Sequence, residues 1–320
     1  MKKCDILLFL FLIAFLHFSC KKPDITPAYL VLSVEDFEDC IDNDRSKFNR
    51  IHDTTFDNEE WEVIRQQQFK DVFVTLNGKS LGYWPLPCKV PLLPDYSSLN
   101  NIEIIPCVRV ANTTHTTRQY RFLKPVTRFL NIEKDSVYRF SDLKFEYRDE
   151  ILFPTIGGAN PMVETFMQGT RFDIVDSIYP TTMTIIHDGE RSMGKIALEG
   201  NEPYFNVATP YFTLDLMNKA GRIVQHFWEI SYKCDNGDMM TYLSFRNTDM
   251  GPYHHNMVGF RSTKGEWKRA YIDITDIVTM VGGYSTQVSM RLGINGFRAS
   301  SSENAYFYFE NMKLISGAPH

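Results

Sequence analysis

Three clusters of reactive side chains could support chemistry, and each depends on the elements that would hold it. Gly78-Lys79-Ser80-Leu81-Gly82 matches the G-x-S-x-G spelling of a serine nucleophile. That chemistry needs a helix directly after the serine, to expose its oxygen on a sharp strand-to-helix turn. Here a short strand and then Pro85 and Pro87 follow, so Ser80 reads as a hairpin residue. His254-His255, with His226 or Asp238, offers the nitrogen and oxygen donors a transition metal uses. Adjacent side chains on a strand point to opposite faces, so both histidines serve one ion only from an irregular loop. Glu199, Glu202 and Glu229 could supply a carboxylate pair about 5 to 10 Å apart, as glycoside hydrolysis requires. With 39 acidic residues in the chain such a coincidence is cheap, and Glu199 and Glu202 flank Gly200 in an expected turn. Neither a glycine-rich phosphate loop nor H-E-x-x-H occurs. The residues point to a protein that is not an enzyme and carries no metal or cofactor.

Aromatic side chains are the better candidates for recognition. Tyr204, Phe205, Tyr211, Phe212, Phe227, Trp228, Tyr232, Tyr242, Tyr253 and Trp267 crowd the second half. Sugar rings present apolar C–H faces that stack on such rings, and protein interfaces use the same residues as anchors. Most should fill a core. In Phe227 to Tyr232, alternation puts Trp228, Ile230 and Tyr232 on one face and Phe227 on the other, beside Glu229 and Ser231. Phe227 is therefore a candidate binding ring, as are Tyr253 in an expected polar loop over 249–256 and Trp84 beside a proline-rich segment.

The elements that would position these residues are strands. Ala28 to Val34 is a β-branched and aromatic run, and 69–76 meets Asn77-Gly78, the strongest short hairpin signal. Ser80 to Trp84 supplies the return strand, and 102–110 and 136–147 complete an antiparallel unit. A short helix is expected near 58–67. Past a boundary over 149–160, which contains Pro154 and Gly157-Gly158, eight strand-like segments recur between Gly194 and Ile315, separated by turn clusters such as Asp235-Asn236-Gly237-Asp238. Many short strands with regular turns describe a sandwich or jelly roll. The expected fold is all-β, with two tandem antiparallel β-sandwich domains over 28–148 and 161–317, the second jelly-roll-like.

Residues 1–19 run from Lys2-Lys3 through an apolar stretch to Ser19, the layout of a cleaved signal peptide. Cys20 stands directly after the cut, and the segment resembles the lipobox of bacterial lipoproteins. The resemblance implies acylation of Cys20. A multiply acylated cysteine would anchor the protein firmly, since stable attachment needs two lipid signals, and residues 20–27 would be the tether. Loss of Lys2, Lys3 and Asp5 takes the net charge from −5 to −6. No basic cluster is present to displace counterions from phosphates, which excludes nucleic acid as a partner. Cys40, Cys88, Cys107 and Cys234 contain no C-x-x-C pair. Cys88 and Cys107 could form a disulfide in an oxidising compartment, or all four could be buried free thiols.

Together, FSCKKPD after the signal, AYLVL, the segments Asp71 to Leu93 and Ile102 to Pro125, EWKRAYIDIT (Glu266 to Thr275) and AYFYFENMKLI (Ala305 to Ile315) resemble a group of outer-membrane lipoproteins of Bacteroidetes-type bacteria. The second half looks like a galactose-binding-type jelly roll of the kind found in carbohydrate-binding modules. Surface-exported lipoproteins of this group often carry an acidic patch after the cysteine. This chain has Lys21-Lys22-Pro23-Asp24, so the resemblance implies the outer membrane without fixing the face. The function expected is a lipid-anchored, non-catalytic scaffold or accessory subunit docking on an outer-membrane β-barrel or its assembly, secretion or uptake machinery. The alternative is a glycan-binding lipoprotein of a polysaccharide-uptake system.

Overall fold

The computed structural model describes residues 26–319, apart from 95, 97, 112–115, 141, 157–159, 176–179, 190, 219 and 249–250. The chain is all-β, built on antiparallel sheets with three short helices among the described residues. In the first half, β1 (Ala28–Leu32), β2 (Asp71–Leu76), β3 (Lys79–Pro85), β4 (Cys88–Leu92), β5 (Leu99–Arg109), β6 (Thr117–Gln119), β7 (Val126–Asn131) and β8 (Val137–Arg139) form two sheets. One runs β4-β1-β8 and the other β3-β2-β5, with β6 and β7 both pairing with β5. The Asn77-Gly78 hairpin forms as its sequence dictates. Both residues take positive φ, 52° and 74°, which asparagine and glycine tolerate and a two-residue turn requires. The expected strand over 136–147 shrinks to β8, which runs parallel to β1.

Two helices lie across this half. Asp44 caps α1 (Arg45–His52) by accepting from Lys47 N. The helix expected near 58–67 is α2 (Asn58–Arg65). Its start is a reciprocal capping box, in which Asp57 accepts from Glu60 N at 2.9 Å while the Glu60 carboxylate accepts from Asp57 N at 3.2 Å. Trp61, Val63 and Ile64 of α2 are buried in the first core.

The second half is a two-sheet sandwich. Its short leading strands are β9 (Thr155–Ile156), β10 (Asn160–Pro161), β11 (Val163–Glu164) and β12 (Asp173–Ile174), followed by β13 (Thr184–Asp188), β14 (Arg191–Leu198), β15 (Tyr204–Ala208) and β16 (Phe212–Asp215). The long strands are β17 (Val224–Asp235), β18 (Gly237–Thr248), β19 (Gly251–Phe260), β20 (Lys268–Asp273), β21 (Gln287–Arg298) and β22 (Ala305–Pro319), with α3 (Thr275–Gly282) between β20 and β21. One sheet runs β13-β14-β22-β17-β20 and the other β12-β15-β21-β18-β19, with β16 also on β21. Trp228, Ile230, Tyr232, Phe307 and Phe309 from the first sheet meet Phe205, Leu243, Phe245, Leu292 and Ile294 from the second in the core between them.

The two halves do not keep separate cores. Val163, Phe227, Tyr271 and Ile315 of the second half belong to the first half's apolar cluster. The expected linker is held on both sides: Ile151 and Phe153 are buried in the first core, Ile156 in the second. Burying that apolar area contributes about 25 cal/mol per Å² and joins the halves.

Candidate functional site

The seam between the halves is organised around a buried carboxylate. Glu229 on β17 is fully buried. It lies 2.8 Å from Arg269 Nη2 on β20 and 3.4 Å from Lys313 Nζ on β22, and it accepts from the Tyr120 hydroxyl across the seam. Burial works to raise the Glu229 carboxyl, but the two cations outweigh it and hold the group below the usual carboxylate range. Lys313 in turn donates to Val63 O at 3.1 Å and Ile64 O at 2.7 Å. These carbonyls end α2, where the helix leaves acceptors unpaired and its dipole favours a cation. Gln67 completes the network, donating to Tyr120 Oη and Tyr147 Oη and accepting from Tyr271 Oη at 3.1 Å.

This seam corrects one expected binding ring. Phe227 does lie opposite Trp228, Ile230 and Tyr232, as alternation requires, but that face meets the first half rather than solvent. Its ring is fully buried, 5.4 Å from the Phe122 ring and 6.3 Å from that of Tyr120, so it anchors the seam and offers no surface to a ligand. Tyr253 sits on β19, not in a loop. It is half-buried against the second core, with its ring 6.1 Å from Phe245 and its hydroxyl 3.1 Å from His255 Nδ1. Trp84 on β3 is half-buried against the first core and donates Nε1–H to Leu81 O at 3.1 Å. The structure does not bring these three rings into one site. Cys20 lies outside the described residues.

Other chemical candidates disperse as well. Ser80 is an exposed residue of β3 with no helix after it. His254 and His255 point to opposite sides of β19: His254 contacts Ser244 and Asn256, His255 contacts Tyr253. Glu199 and Glu202 share an exposed turn, while Glu229 is committed to the seam. Among the described residues no three His, Cys, Asp or Glu side chains are grouped to hold a metal, and Cys40, Cys88, Cys107 and Cys234 are free thiols. Burial pushes the Cys88 thiol up to about 11 and that of Cys40 to about 12.

What the structure does assemble is the outward face of the sheet containing β15, β21, β18 and β19. Val288, Met290, Leu292 and Ile294 of β21 enter the core, so Ser289, Arg291, Gly293, Asn295 and Phe297 face out. Register aligns Tyr242 with Gly293 and Asn256, Ser244 with Arg291 and His254, Asn206 with Asn295, and Tyr204 with Phe297. The Tyr242 ring lies flat over Gly293, where an added Cβ would stand 2.0 Å from Tyr242 Cζ. Its hydroxyl donates to Asn206 Oδ1 at 2.7 Å and its ring lies 4.3 Å from that of His254. At one end Arg246 and Arg291 stack on Tyr211, with guanidinium carbons 3.7 and 4.9 Å from the ring centroid. At the other, Phe297 stays 49% exposed beside Tyr204. From Arg291 to Phe297 the strip runs about 20 Å, at about 3.4 Å per strand residue.

Electrostatics fixes the protonation of this strip. Burial pushes the Tyr242 hydroxyl up to about 12 against the pull of Arg291, so it stays a neutral donor. Burial also lowers the His254 imidazole, Asn256 opposing and Arg291 and His255 assisting, so the ring is neutral at pH 7. Sequence reasoning named Tyr204, Tyr211 and Tyr242 only as part of an aromatic crowd and missed Asn206, Arg246, Arg291 and Phe297. The signal was the strict alternation over 287–298, whose polar and odd-numbered positions all leave the core together.

No known protein family matches the sequence, and no curated protein matches it. Solved structures do show likeness. One is a carbohydrate-binding module from the β-sandwich superfamily, at 8% identity and a TM-score of 0.33, covering 77% of this chain and 85% of that one. Another is the family 30 carbohydrate-binding module of cellulosomal cellulase Cel9D-Cel44B of Clostridium thermocellum, at 11% identity and 0.30, covering 48% and 89%. A third is the enzymatically active domain of tailspike protein 4 of bacteriophage CBA120, at 9% identity and 0.30, covering 45% of this chain and only 18% of the tailspike. Likeness at this level assigns no function to the chain.

Proposed function

We propose that the second sandwich binds a glycan on the strip between Tyr211 and Phe297. The observation that carries this reading is a sheet face, uncovered by the first half, on which rings and planar polar groups are already held in place by one another. Phe297 and Tyr204 offer ring surface to sugar C–H faces. Asn206, Asn256, Arg246 and Arg291 offer amide and guanidinium groups, which match vicinal hydroxyls with paired hydrogen bonds. Side chains fixed before binding lose less rotamer freedom when a ligand arrives. The test is a broad glycan array with the purified chain, followed by titration of any hit. Binding should weaken about tenfold or more in Phe297→Ala and Arg291→Ala, a loss of about 1.4 kcal/mol. Absence of binding across the array would retire the reading.

A second reading, that of a lipid-anchored accessory subunit on an outer-membrane complex, draws support from the continuous core and the buried Glu229 network, which join two sandwiches into one broad body. It requires acylation at Cys20. Intact-mass analysis of the cellular protein should show the lipid mass at Cys20, and mild-detergent extraction should retain a β-barrel partner; an unmodified terminus or a clean monomer would count against it.

A further inference from the structure

Beyond the seam, the outward face of the opposite sheet emerges into solvent with an unusual order of side chains. Lys268 of β20 aligns with Tyr232 of β17, so Trp267, one residue earlier, stands beside Lys233. Lys233 aligns with Tyr308 of β22, and Tyr308 with Lys195 of β14. Across four neighbouring strand lines the row therefore reads ring, ammonium, ring, ammonium. Strand spacing of about 4.8 Å puts Trp267 and Tyr308 about 10 Å apart. Lys233 Nζ lies 4.4 Å from the Tyr308 ring centroid and 5.4 Å from that of Trp267, while Lys195 Nζ lies 4.9 Å from the Tyr306 ring. All five side chains are half-buried, so stems are packed and heads reach water.

At the Trp267 end the row opens into a cleft of about 220 Å³ against the first half, lined by Gln66, Gln67, Gln68, Ser231, Lys268 and Arg269 among others. Arg269 is paired through its Nη atoms with Glu229 and Ser231, but its buried Nε finds no acceptor among the described residues. Arg191, Lys195 and Lys233 bring three cations to this surface, against the carboxylates of Asp235 and Glu310. An occupant must therefore offer flat apolar faces at intervals, hydroxyls for the amides, and negative charge.

We infer that this row and its cleft form a second binding site, for an acidic carbohydrate. Its ring faces lie on Trp267 and Tyr308, its carboxylate or sulfate groups meet Lys233 and Lys195, and its hydroxyls enter the glutamine-lined cleft. This site lies on the sheet opposite the strip between Tyr211 and Phe297 and stands whether or not that strip binds neutral sugars.

Calorimetric titration of the full chain with galacturonate, glucuronate and sulfated trisaccharides, and with neutral trisaccharides of matched linkage, tests it. At least one acidic trisaccharide should bind, more weakly at 200 than at about 50 mM salt, because screening shortens the reach of the ammonium groups. Its affinity should fall about tenfold or more in Lys233→Gln and in Trp267→Ala, with the conservative Trp267→Phe recovering part of the loss. Lys79→Gln, an equal charge change on the distant β2–β3 hairpin, should leave it unchanged, and far-UV circular dichroism checks that each variant is folded. Neutral binding untouched by both variants belongs to the strip between Tyr211 and Phe297. No binding to any acidic trisaccharide, neutral trisaccharides bound equally well and lost equally in Lys233→Gln, or indifference of acidic binding to both Lys233→Gln and Trp267→Ala would overturn the inference. So would tighter, Lys233-dependent binding to anionic lipid vesicles, which would make the row a membrane contact.

Discussion

The second sandwich has two outward faces built by the same rule, and they meet different fates. On the sheet with β17, Phe227, Glu229, Tyr271, Lys313 and Ile315 turn away from their own core and are covered by the first half. On the sheet with β21, Tyr211, Tyr242, Arg246, Arg291 and His254 turn away in the same manner; Tyr242 is buried among side chains of its own sheet, while Arg246 and His254 are exposed and Tyr211 and Arg291 half-buried. In the covered region each charge is matched: Glu229 holds two cations and a hydroxyl, and Lys313 holds two helix carbonyls. On the uncovered face, guanidinium groups rest on a ring with no carboxylate partner among the described residues. Burial demands pairing, and exposure leaves donors available for something else.

That contrast is broken most forcefully at Glu229. Glu229→Ala leaves Arg269 and Lys313 buried without their counter-ion, and removing one partner of a buried ion group costs about 3 to 5 kcal/mol. Arg246→Ala removes a cation of similar size from the exposed stack and should cost no more than about 1 kcal/mol. Urea denaturation of the two variants measures the difference. Similar losses would mean that the uncovered face is as integral to the fold as the seam.

Gly293 sharpens the comparison from the other side. A Cβ there would collide with the Tyr242 ring, so Gly293→Ala must lift that ring from the sheet and disturb its hydrogen bond to Asn206. Overpacking of this kind costs about 1 to 3 kcal/mol. The expected outcome is a lowered denaturation midpoint together with loss of glycan binding on the strip, while binding on the Trp267 row persists. A loss confined to stability would separate the Tyr242 platform from recognition.

Much of this architecture was legible in the residues. The Asn77-Gly78 hairpin, the strands of the second half and the sharing of a face by Trp228, Ile230 and Tyr232 follow from turn chemistry and period-two alternation, which are local. The short helix expected near 58–67 forms as α2, where the structure adds an acidic first turn and buries Trp61, Val63 and Ile64. What lay beyond reach was the covering of Phe227. Alternation states which side chains leave a core, and only the packing of a segment more than a hundred residues away, Tyr120 and Phe122, decides what they meet. Glu229, beside Phe227 on the same face, is buried for the same reason. The strip itself is assembled from β15, β16, β18, β19 and β21, whose register no short window contains.

The smallest expected effect concerns pH, and it touches both halves. His254 on the uncovered face and His52 on α1 are each lowered from the ordinary imidazole range, first by burial. For His254, Asn256 opposes while Arg291 and His255 add to the lowering; for His52, a backbone bond at Ile151, Asp149 and Glu150 oppose while Lys124 adds. A folded-state value below the unfolded value of about 6.5 means that the unfolded chain takes up protons first as pH falls. The stability held by neutral imidazole is therefore complete above about pH 6.5 and is lost progressively below it. The denaturation midpoint should fall between pH 7.5 and 5.5, and His254→Gln should flatten part of that slope while leaving the His52 share intact. A His254→Gln variant whose slope equals that of the parent would mean that His254 carries no share of the pH dependence.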